Sequence, residues 1–209
     1  MNIFARWGLA VILVTATVTA AAHEIVDDGA MSVDEFVRLV QDPSVDRIRF
    51  EAPSGGSNSR RSVYFLWGHL EAKWTNFQYA AALTPIRSLQ RAGWTVLVDG
   101  WTTTLEARAY VADPTIVGLY WSSHGTPQGA LTAWQDAGHY TALTPSHLGP
   151  AGRDLRFVVL CACYSMTQGN EFSARLNGAA VYGYRGTVTV EECAWELRNR
   201  FIAIFNKHL

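Results

Sequence analysis

The sequence predicts an α/β fold in which a mostly parallel sheet is covered by helices on both faces. Short apolar runs alternate along the chain with longer segments of helical periodicity, and continuous apolar runs are typical of strands buried on both faces. Hydrophobic residues make up 49% of the 209-residue chain and charged residues only 17%, where about 25% is usual for charged residues. This composition supports one domain with a large core and excludes disorder for the bulk of the chain.

The first 22 residues are typical of a secretory signal peptide. Arg6 is the only charged residue among them, and a run of apolar or small residues follows it to Ala22. A basic start, a short apolar run and a small-residue exit are the parts of such a signal, and the run is shorter than the roughly 20 residues that a membrane-spanning helix needs. We therefore expect cleavage after Ala22, export to the periplasm or the extracellular space, and no stable membrane span. The alternatives are an uncleaved anchor, or a mis-assigned start codon that would leave the protein in the cytoplasm.

Residues 23–61 are predicted to form an N-terminal helix, an edge strand and a flexible loop. The letters SVDE at residues 32–35 form a capping box, which opens a helix over about residues 33–41. Polar and apolar residues alternate over residues 46–51, as in an edge strand, and the stretch PSGGSNSRR at 53–61 is loop-like. These elements are too few for a core of their own, so no separate domain is expected there.

Residues 62–209 are predicted to carry the rest of the sheet and its covering helices. The first long helix of this part ends at Gly93 and the next is stopped near Pro114, because neither residue suits a helix interior. The predicted strands cover residues 63–67, 94–98, 116–121, 155–160 and 179–183, and the predicted helices cover residues 76–92, 104–111 and 191–206.

Two of these strands end in residues that can carry chemistry. Strand 116–121 runs into the letters SSHG, which place His124 and Gly125 at its end, and strand 155–160 runs into CACYS, which places Cys163 there. Sites in open α/β sheets form at the carboxyl ends of strands, so these residues face each other if the two strands are neighbours. A thiol needs a base or a positive neighbour to become a thiolate near neutral pH, and the backbone N–H groups of Gly125 and Cys163 could hold an oxyanion. The pattern therefore indicates a cysteine acyl-transfer dyad.

Two other interpretations of the same residues stay open. A histidine after a strand can be structural, and cysteines beside a strand can be small buried residues. Alternatively, His124, Cys161, Cys163 and Cys193 could bind zinc, although C-x-C spacing is unlike the spacing of most structural zinc sites. We therefore predict neither a metal nor a cofactor. The chain has three cysteines, and this odd number leaves at least one thiol free unless it pairs with another chain.

The order of these elements resembles the caspase-like peptidase fold, which caspases, metacaspases and CHAT peptidases share. The matching elements are the strand 63–67, the helix 76–92, the strand 94–98 and the strand that ends in SSHG; the segment 129–148 is similar to the small hairpin and following helix start of that fold. The letters LRFVVLCACYS resemble the nucleophile strand of the family. The resemblance implies a three-layer α/β/α sandwich with a caspase-like catalytic domain over residues 62–209, closest to the CHAT or minimal bacterial branch.

By position, the resemblance assigns catalytic roles to three residues. His124 resembles the family's general base, Cys163 its nucleophile, and Gly125 the glycine that donates to the oxyanion. Cys163 is preferred to Cys161 because it follows an alanine and stands two residues before Ser165.

Four further residues are expected near the substrate. Cys161 stands two residues before the nucleophile, where metacaspases carry an aspartate and caspases a glutamine, so neither of their preferences is implied. Ser165 belongs to the same motif, and Asp99 ends a neighbouring predicted strand and is expected to line the site. Lys73 lies about where caspases place a specificity arginine. If Lys73 points into the pocket, an acidic residue before the scissile bond would be favoured; the alternative is a surface lysine.

The sequence therefore predicts a cysteine-type endopeptidase that acts on a protein or peptide substrate through an acyl-enzyme. The alternatives are a catalytically inactive caspase-like binding module, and another cysteine hydrolase such as a thioesterase or amidase. A net charge of −1 argues against nucleic-acid binding. Caspases join through a sheet edge whereas other branches stay monomeric, so a sheet-edge homodimer is an open alternative. Cys163 is expected to stay a free thiol, and any pairing of Cys161 with Cys193 would spare it.

Overall fold

The computed structural model describes residues 23–53, 60–136 and 138–209, with the side chains of residues 72–74 and 136 outside the description. The predicted leader and most of the predicted loop at residues 53–61 lie outside the described residues. Within the described ranges, no helix is long and apolar enough to cross a membrane.

The chain forms a seven-stranded sheet with helices on both faces and a two-stranded hairpin beside it. The strands are β1 Glu24–Asp27, β2 Arg47–Phe50, β3 Ser62–Trp67, β4 Thr95–Asp99, β5 Ile116–Ser122, β6 Leu131–Asp136, β7 His139–Leu143, β8 Phe157–Cys161 and β9 Ala180–Tyr182. The helices are α1 Val33–Val40, α2 Ala72–Arg91, α3 Thr104–Ala112, α4 Gly169–Arg175, α5 Val190–Asn199 and α6 Phe201–His208. The order across the sheet is β1-β2-β4-β3-β5-β8-β9, while β6 and β7 pair as the hairpin.

Most strands of this sheet run in one direction. Strands β3, β4, β5, β8 and β9 are parallel to their neighbours, and only the pair β2 and β4 is antiparallel. The prediction of an α/β fold with a mostly parallel sheet is therefore confirmed.

Two hydrophobic clusters, one on each face of the sheet, give the molecule three layers. Successive side chains of a strand point to opposite faces. In β3, Phe65 and Trp67 pack in the cluster that holds α1, α2, α5 and α6, whereas Tyr64 and Leu66 pack in the cluster that holds α3 and α4. All four side chains are buried, so the central strands are covered on both faces, as an α/β/α sandwich requires.

The structure corrects three predicted elements. Residues 46–51 contain a strand, but it is not at the edge of the sheet, because the unpredicted β1 pairs with the outer side of β2. The helix predicted over residues 191–206 is divided into α5 and α6 at Arg200, whose φ of −119° departs from helical geometry. Helix α2 begins at Ala72, earlier than predicted. These differences leave the parallel centre of the sheet, which carries the predicted site, unchanged.

Candidate active site

The predicted base and the predicted nucleophile line the same cavity. Strands β5 and β8 are neighbours, with Ser122 opposite Cys161, so their carboxyl ends meet. His124 follows β5, Cys163 follows β8, and both contribute to a cavity of about 320 Å³. The rest of its wall comes mainly from the end of β3, from α2 and from residues 188–193.

His124 is held from two sides. Its Nε2 lies 3.0 Å from Oε2 of Glu71, and its backbone N–H donates to the carbonyl oxygen of His69 at 3.1 Å. When Nε2 carries a proton shared with the Glu71 carboxylate, Nδ1 is the nitrogen that can accept another proton. Glu71 is therefore placed to orient the imidazole, as the third member of a catalytic triad orients its histidine.

Glu71 is the residue of this site that sequence analysis missed. It follows β3, which is the other neighbour of β5, so its position at the same edge of the sheet is the signal that could have found it. Partial burial acts to raise the pKa of Glu71, but a hydrogen bond from its own backbone N–H and the imidazoles of His124 and His69 outweigh burial and hold the pKa below its ordinary value. The side chain is 53% exposed, so solvent weakens the ion pair that it forms with a protonated His124.

The Cys163 thiol is free and half-buried, and it contacts the backbone of Val188. The N–H of Val188 donates to Sγ at 3.4 Å, and the thiol can donate to the Val188 carbonyl oxygen at 3.6 Å. Within the described part of the chain, no hydrogen bond joins Sγ to His124, so a rotation of the thiol must precede proton transfer between them. Such looseness is common in catalytic pairs without substrate.

The turn that follows the nucleophile is strained and firmly held. Tyr164 has a φ of 55°, a left-handed conformation that non-glycine residues rarely adopt, and its N–H donates to the carbonyl oxygen of Gly186 at 2.8 Å. Ser165 is completely buried; its hydroxyl donates to the Leu160 carbonyl oxygen at 3.1 Å and accepts from the Tyr184 N–H at 3.1 Å. The predicted substrate-binding role of Ser165 is therefore not supported, because its side chain points into the protein and ties this turn to β8.

Gly125 lies directly against the backbone of Cys163. A Cβ atom at position 125 would lie 2.0 Å from the carbonyl oxygen of Cys163 and 2.9 Å from its nitrogen, so only glycine fits without a backbone shift. The N–H groups of Gly125 and Cys163 make no hydrogen bond to any residue that the structure describes. Both groups are therefore free to donate, and their role in holding an oxyanion stays a prediction.

Cys161 and Cys193 are joined in a disulfide, with their Cα atoms 5.8 Å apart. Both half-cystines line the cavity. Cys161 therefore lies in the pocket, as predicted, but its sulfur is part of a cross-link. A sulfur held in a disulfide is not a zinc ligand, and the described residues contain no group of three His, Cys, Asp or Glu side chains that could hold a metal ion. The zinc alternative therefore has no donor set in this fold.

Of the two remaining predicted residues, Asp99 does not line the cavity, and the Lys73 side chain is not described. Asp99 is buried at the end of β4, where it accepts hydrogen bonds from the Trp101 N–H at 2.8 Å and from the Tyr110 hydroxyl at 3.1 Å. β3 separates β4 from β5, so Asp99 serves the loop after its own strand instead of the site. Lys73 lies in the first turn of α2, and its side chain is outside the described residues.

The buried Asp99 predicts a pH dependence of stability. Burial, together with the nearby Glu106 carboxylate, raises the pKa of Asp99 to about 7. Because an unfolded aspartate has a pKa of about 3.9, the folded state binds the proton more tightly, and this group's contribution to stability falls as the pH rises from about 4 to about 7. The free energy of unfolding of Asp99→Asn, compared with that of wild type, should therefore rise by about 2 kcal/mol from pH 5 to pH 8. Urea denaturation at both pH values measures this difference, and a difference independent of pH would contradict the prediction.

Comparison with protein-family models and with curated proteins gives no relative from which a function could be transferred. No protein-family model matches the chain, and no curated protein matches it. The function must therefore be argued from the site itself.

Proposed function

We propose that the protein is a cysteine endopeptidase of the caspase-like type, with Cys163 as the nucleophile and His124 as the general base. The observation that carries this proposal is the meeting of both residues in one cavity at the carboxyl ends of β5 and β8. Gly125 packs against the Cys163 backbone, so the N–H groups of these two residues provide two donors near each other. The combination supplies a nucleophile, a base and an oxyanion site.

The proposed reaction proceeds through a thioester. His124 takes the Cys163 proton, and the thiolate attacks the substrate carbonyl carbon while the Gly125 and Cys163 N–H groups bind the oxyanion. His124 then gives its proton to the leaving amine, the C–N bond breaks, and the acyl group stays on sulfur. His124 next takes a proton from water, and the water oxygen attacks the thioester carbonyl carbon. The C–S bond then breaks, the acid is released, and His124 returns its proton to sulfur. In each step Glu71 stabilises the imidazolium and holds Nε2 of His124, which leaves Nδ1 to exchange the proton.

The charges of the cavity wall indicate which side chain the site prefers before the scissile bond. Among the described residues that line the cavity, Glu191 is the only carboxylate and His124 the only group that can be positively charged. Leu70 and the Cys161–Cys193 disulfide provide uncharged surface. We therefore expect an uncharged or basic side chain before the cut instead of an acidic one.

The site has features that fit an oxidising compartment. A disulfide is rare in cytosolic proteins and common in exported ones, and the Cys161–Cys193 bond leaves only the proposed nucleophile free. Together with the leader-like first 22 residues, the disulfide supports the proposal that the protein is exported.

One observation favours a second candidate, a catalytically inactive binding module of the same fold. The thiol is paired with Val188 and not with His124. In an inactive protein this arrangement would be permanent, whereas in an enzyme the thiol must be able to reach His124.

Alkylation kinetics separate the two candidates. We expect iodoacetamide to label wild-type Cys163 at least about tenfold faster than the His124→Ala variant at pH 7, because His124 supplies the thiolate. Glu71→Gln should label and cleave at an intermediate rate, since an exposed pair contributes little. His147→Ala, at an exposed histidine of the surface, is the matched control and should behave as wild type. Peptide cleavage that disappears in Cys163→Ala would establish the activity. Equal rates of Cys163 labelling in wild type and His124→Ala would rule out His124 as the base of Cys163.

A further inference from the structure

A second cavity of about 340 Å³ adjoins the first, and four of its ten described lining residues carry aromatic rings. We call it the aromatic cavity and define it by His69, Leu70, Glu71, Tyr79, Trp101 and Trp134. Leu70 lines both cavities, so they lie side by side. A ligand held at the Cys163 thiol that passes this shared border reaches the aromatic cavity.

His124 stands between the two cavities. Its imidazole lines the first, while its ion-pair partner Glu71 and its ring neighbour His69, 5.6 Å away between centroids, line the second. In the proposed reaction the leaving amine must lie beside His124, which protonates it, while the acyl part lies on Cys163. The side chain carried by the leaving amine is therefore directed past His124, toward the aromatic cavity.

The rings of the aromatic cavity form a packed wall. The centroids of Trp101 and Trp134 are 4.5 Å apart, and those of His69 and Trp134 are 4.7 Å apart. Tyr140, from the hairpin, stacks on His69 at 4.2 Å and is 57% exposed. Rings in contact at these distances offer both faces and edges to another aromatic ring.

Two indole N–H groups in this wall have no hydrogen-bond partner among the described residues. Nε1 of Trp101 and Nε1 of Trp134 are both buried and unpaired, and a buried donor without an acceptor costs about 1 to 3 kcal/mol. Both belong to the same pair of stacked rings. An oxygen-bearing side chain bound in the aromatic cavity against these rings would supply the missing acceptor.

The charge of the aromatic cavity restricts what can enter. Burial, with a further contribution from His124, lowers the pKa of His69, so this imidazole is neutral near neutral pH. Glu71 is ionised and sits at the border with the first cavity. An acidic side chain would therefore meet a carboxylate without a compensating cation among the described lining residues.

We infer that the aromatic cavity binds the side chain of the substrate residue that follows the scissile bond, and that it selects an uncharged aromatic side chain with a polar tip, such as tyrosine. This inference rests on the proposed function for its place in the reaction. The binding of a tyrosine derivative itself depends only on the described walls of the cavity.

Binding is tested without catalysis in the full-length Cys163→Ala variant. L-tyrosinamide, which represents the leaving amine, is titrated while the indole N–H signals are followed by ¹H–¹⁵N NMR. We expect saturable shifts of the Trp101 and Trp134 signals, assigned through Trp101→Phe and Trp134→Phe, with weaker binding of L-phenylalaninamide and none of L-aspartic acid α-amide, which keeps its side-chain carboxylate. Trp134→Ala should raise the Kd about tenfold. Trp195→Phe, at a 57% exposed tryptophan on α5, should leave the Kd unchanged. Absence of saturable shifts, or a Kd unchanged in Trp134→Ala, would overturn the inference.

Cleavage of a mixed peptide library by wild type, read by mass spectrometry, tests the place of this cavity in the reaction. We expect tyrosine and other aromatic residues to be enriched directly after the cut, and the enrichment to be lost in Trp134→Ala while the preference before the cut is unchanged. Cleavage without such enrichment overturns the inference but leaves the proposed function standing. Tyrosinamide binding without any Cys163-dependent cleavage refutes the proposed function and reduces the inference to a ligand site.

Discussion

Reduction of the Cys161–Cys193 disulfide is expected to lower the free energy of unfolding by about 3 to 4 kcal/mol, because it releases a cross-link between residues 32 positions apart. Opening a loop of this length restores conformational freedom mainly to the unfolded chain. Urea denaturation with and without dithiothreitol measures the difference. The double variant Cys161→Ala with Cys193→Ala should be less stable than wild type and should no longer respond to dithiothreitol.

The same reduction is expected to slow alkylation and cleavage about 10- to 100-fold, because small displacements of catalytic groups cost that much. The disulfide ties the end of β8 to α5 and so fixes residues 188–193, which form one wall of the cavity. Val188, in that wall, is the residue whose backbone N–H contacts Sγ of Cys163. Reoxidation should restore the rate, which distinguishes a positional effect from irreversible unfolding.

A thiol count gives the simplest check of this arrangement. Ellman's reagent should detect one free thiol per chain in non-reduced protein in denaturant, and three in fully reduced protein. Cys163→Ala, which leaves the disulfide in place, is the matched control and should release none before reduction. Three thiols in non-reduced protein, or unchanged stability after reduction, would contradict the prediction.

The centre of the fold could be predicted from the sequence because local pattern and tertiary role agree there. β5 and β8 are continuous apolar runs followed at once by polar residues, and this pattern is shared by buried parallel strands that end at a site. Their ends therefore indicated His124 and Cys163 before any contact was known. Residues 24–27, by contrast, form a strand too short to show a pattern of its own. They become β1 because they pair with β2, about twenty residues further along the chain.

The parts of the site that sequence analysis missed depend on contacts between distant segments. Glu71 reaches His124 from a different strand end, across 53 positions of sequence. Residues two apart in a strand point the same way, and that rule alone would place the side chains of Cys161 and Cys163 side by side. β8, however, ends at Cys161, so Cys163 already belongs to the following turn, and the two side chains take different partners.

Gly125→Ala is expected to reduce cleavage about 10²- to 10³-fold, because it disturbs the proposed oxyanion site. The added methyl group would lie 2.0 Å from the Cys163 carbonyl oxygen, a distance that no side-chain rotation relieves, since the obstacle is backbone. The end of β5 and the turn after β8 must then move apart, and with them the two N–H groups that face the substrate carbonyl. The overpacking should also cost about 1 to 3 kcal/mol of stability.

Gly186→Ala is the matched control for this substitution. Gly186 lies in the segment that precedes Val188 and contacts the turn at Tyr164, yet a Cβ there would meet nothing within 4 Å. It should therefore leave both stability and cleavage close to wild type. Because alkylation by iodoacetamide forms no oxyanion, Gly125→Ala should slow alkylation much less than it slows cleavage. Equal losses in the two assays would place the effect on the thiol and its base, and wild-type cleavage by Gly125→Ala would show that these two N–H groups do not hold the oxyanion.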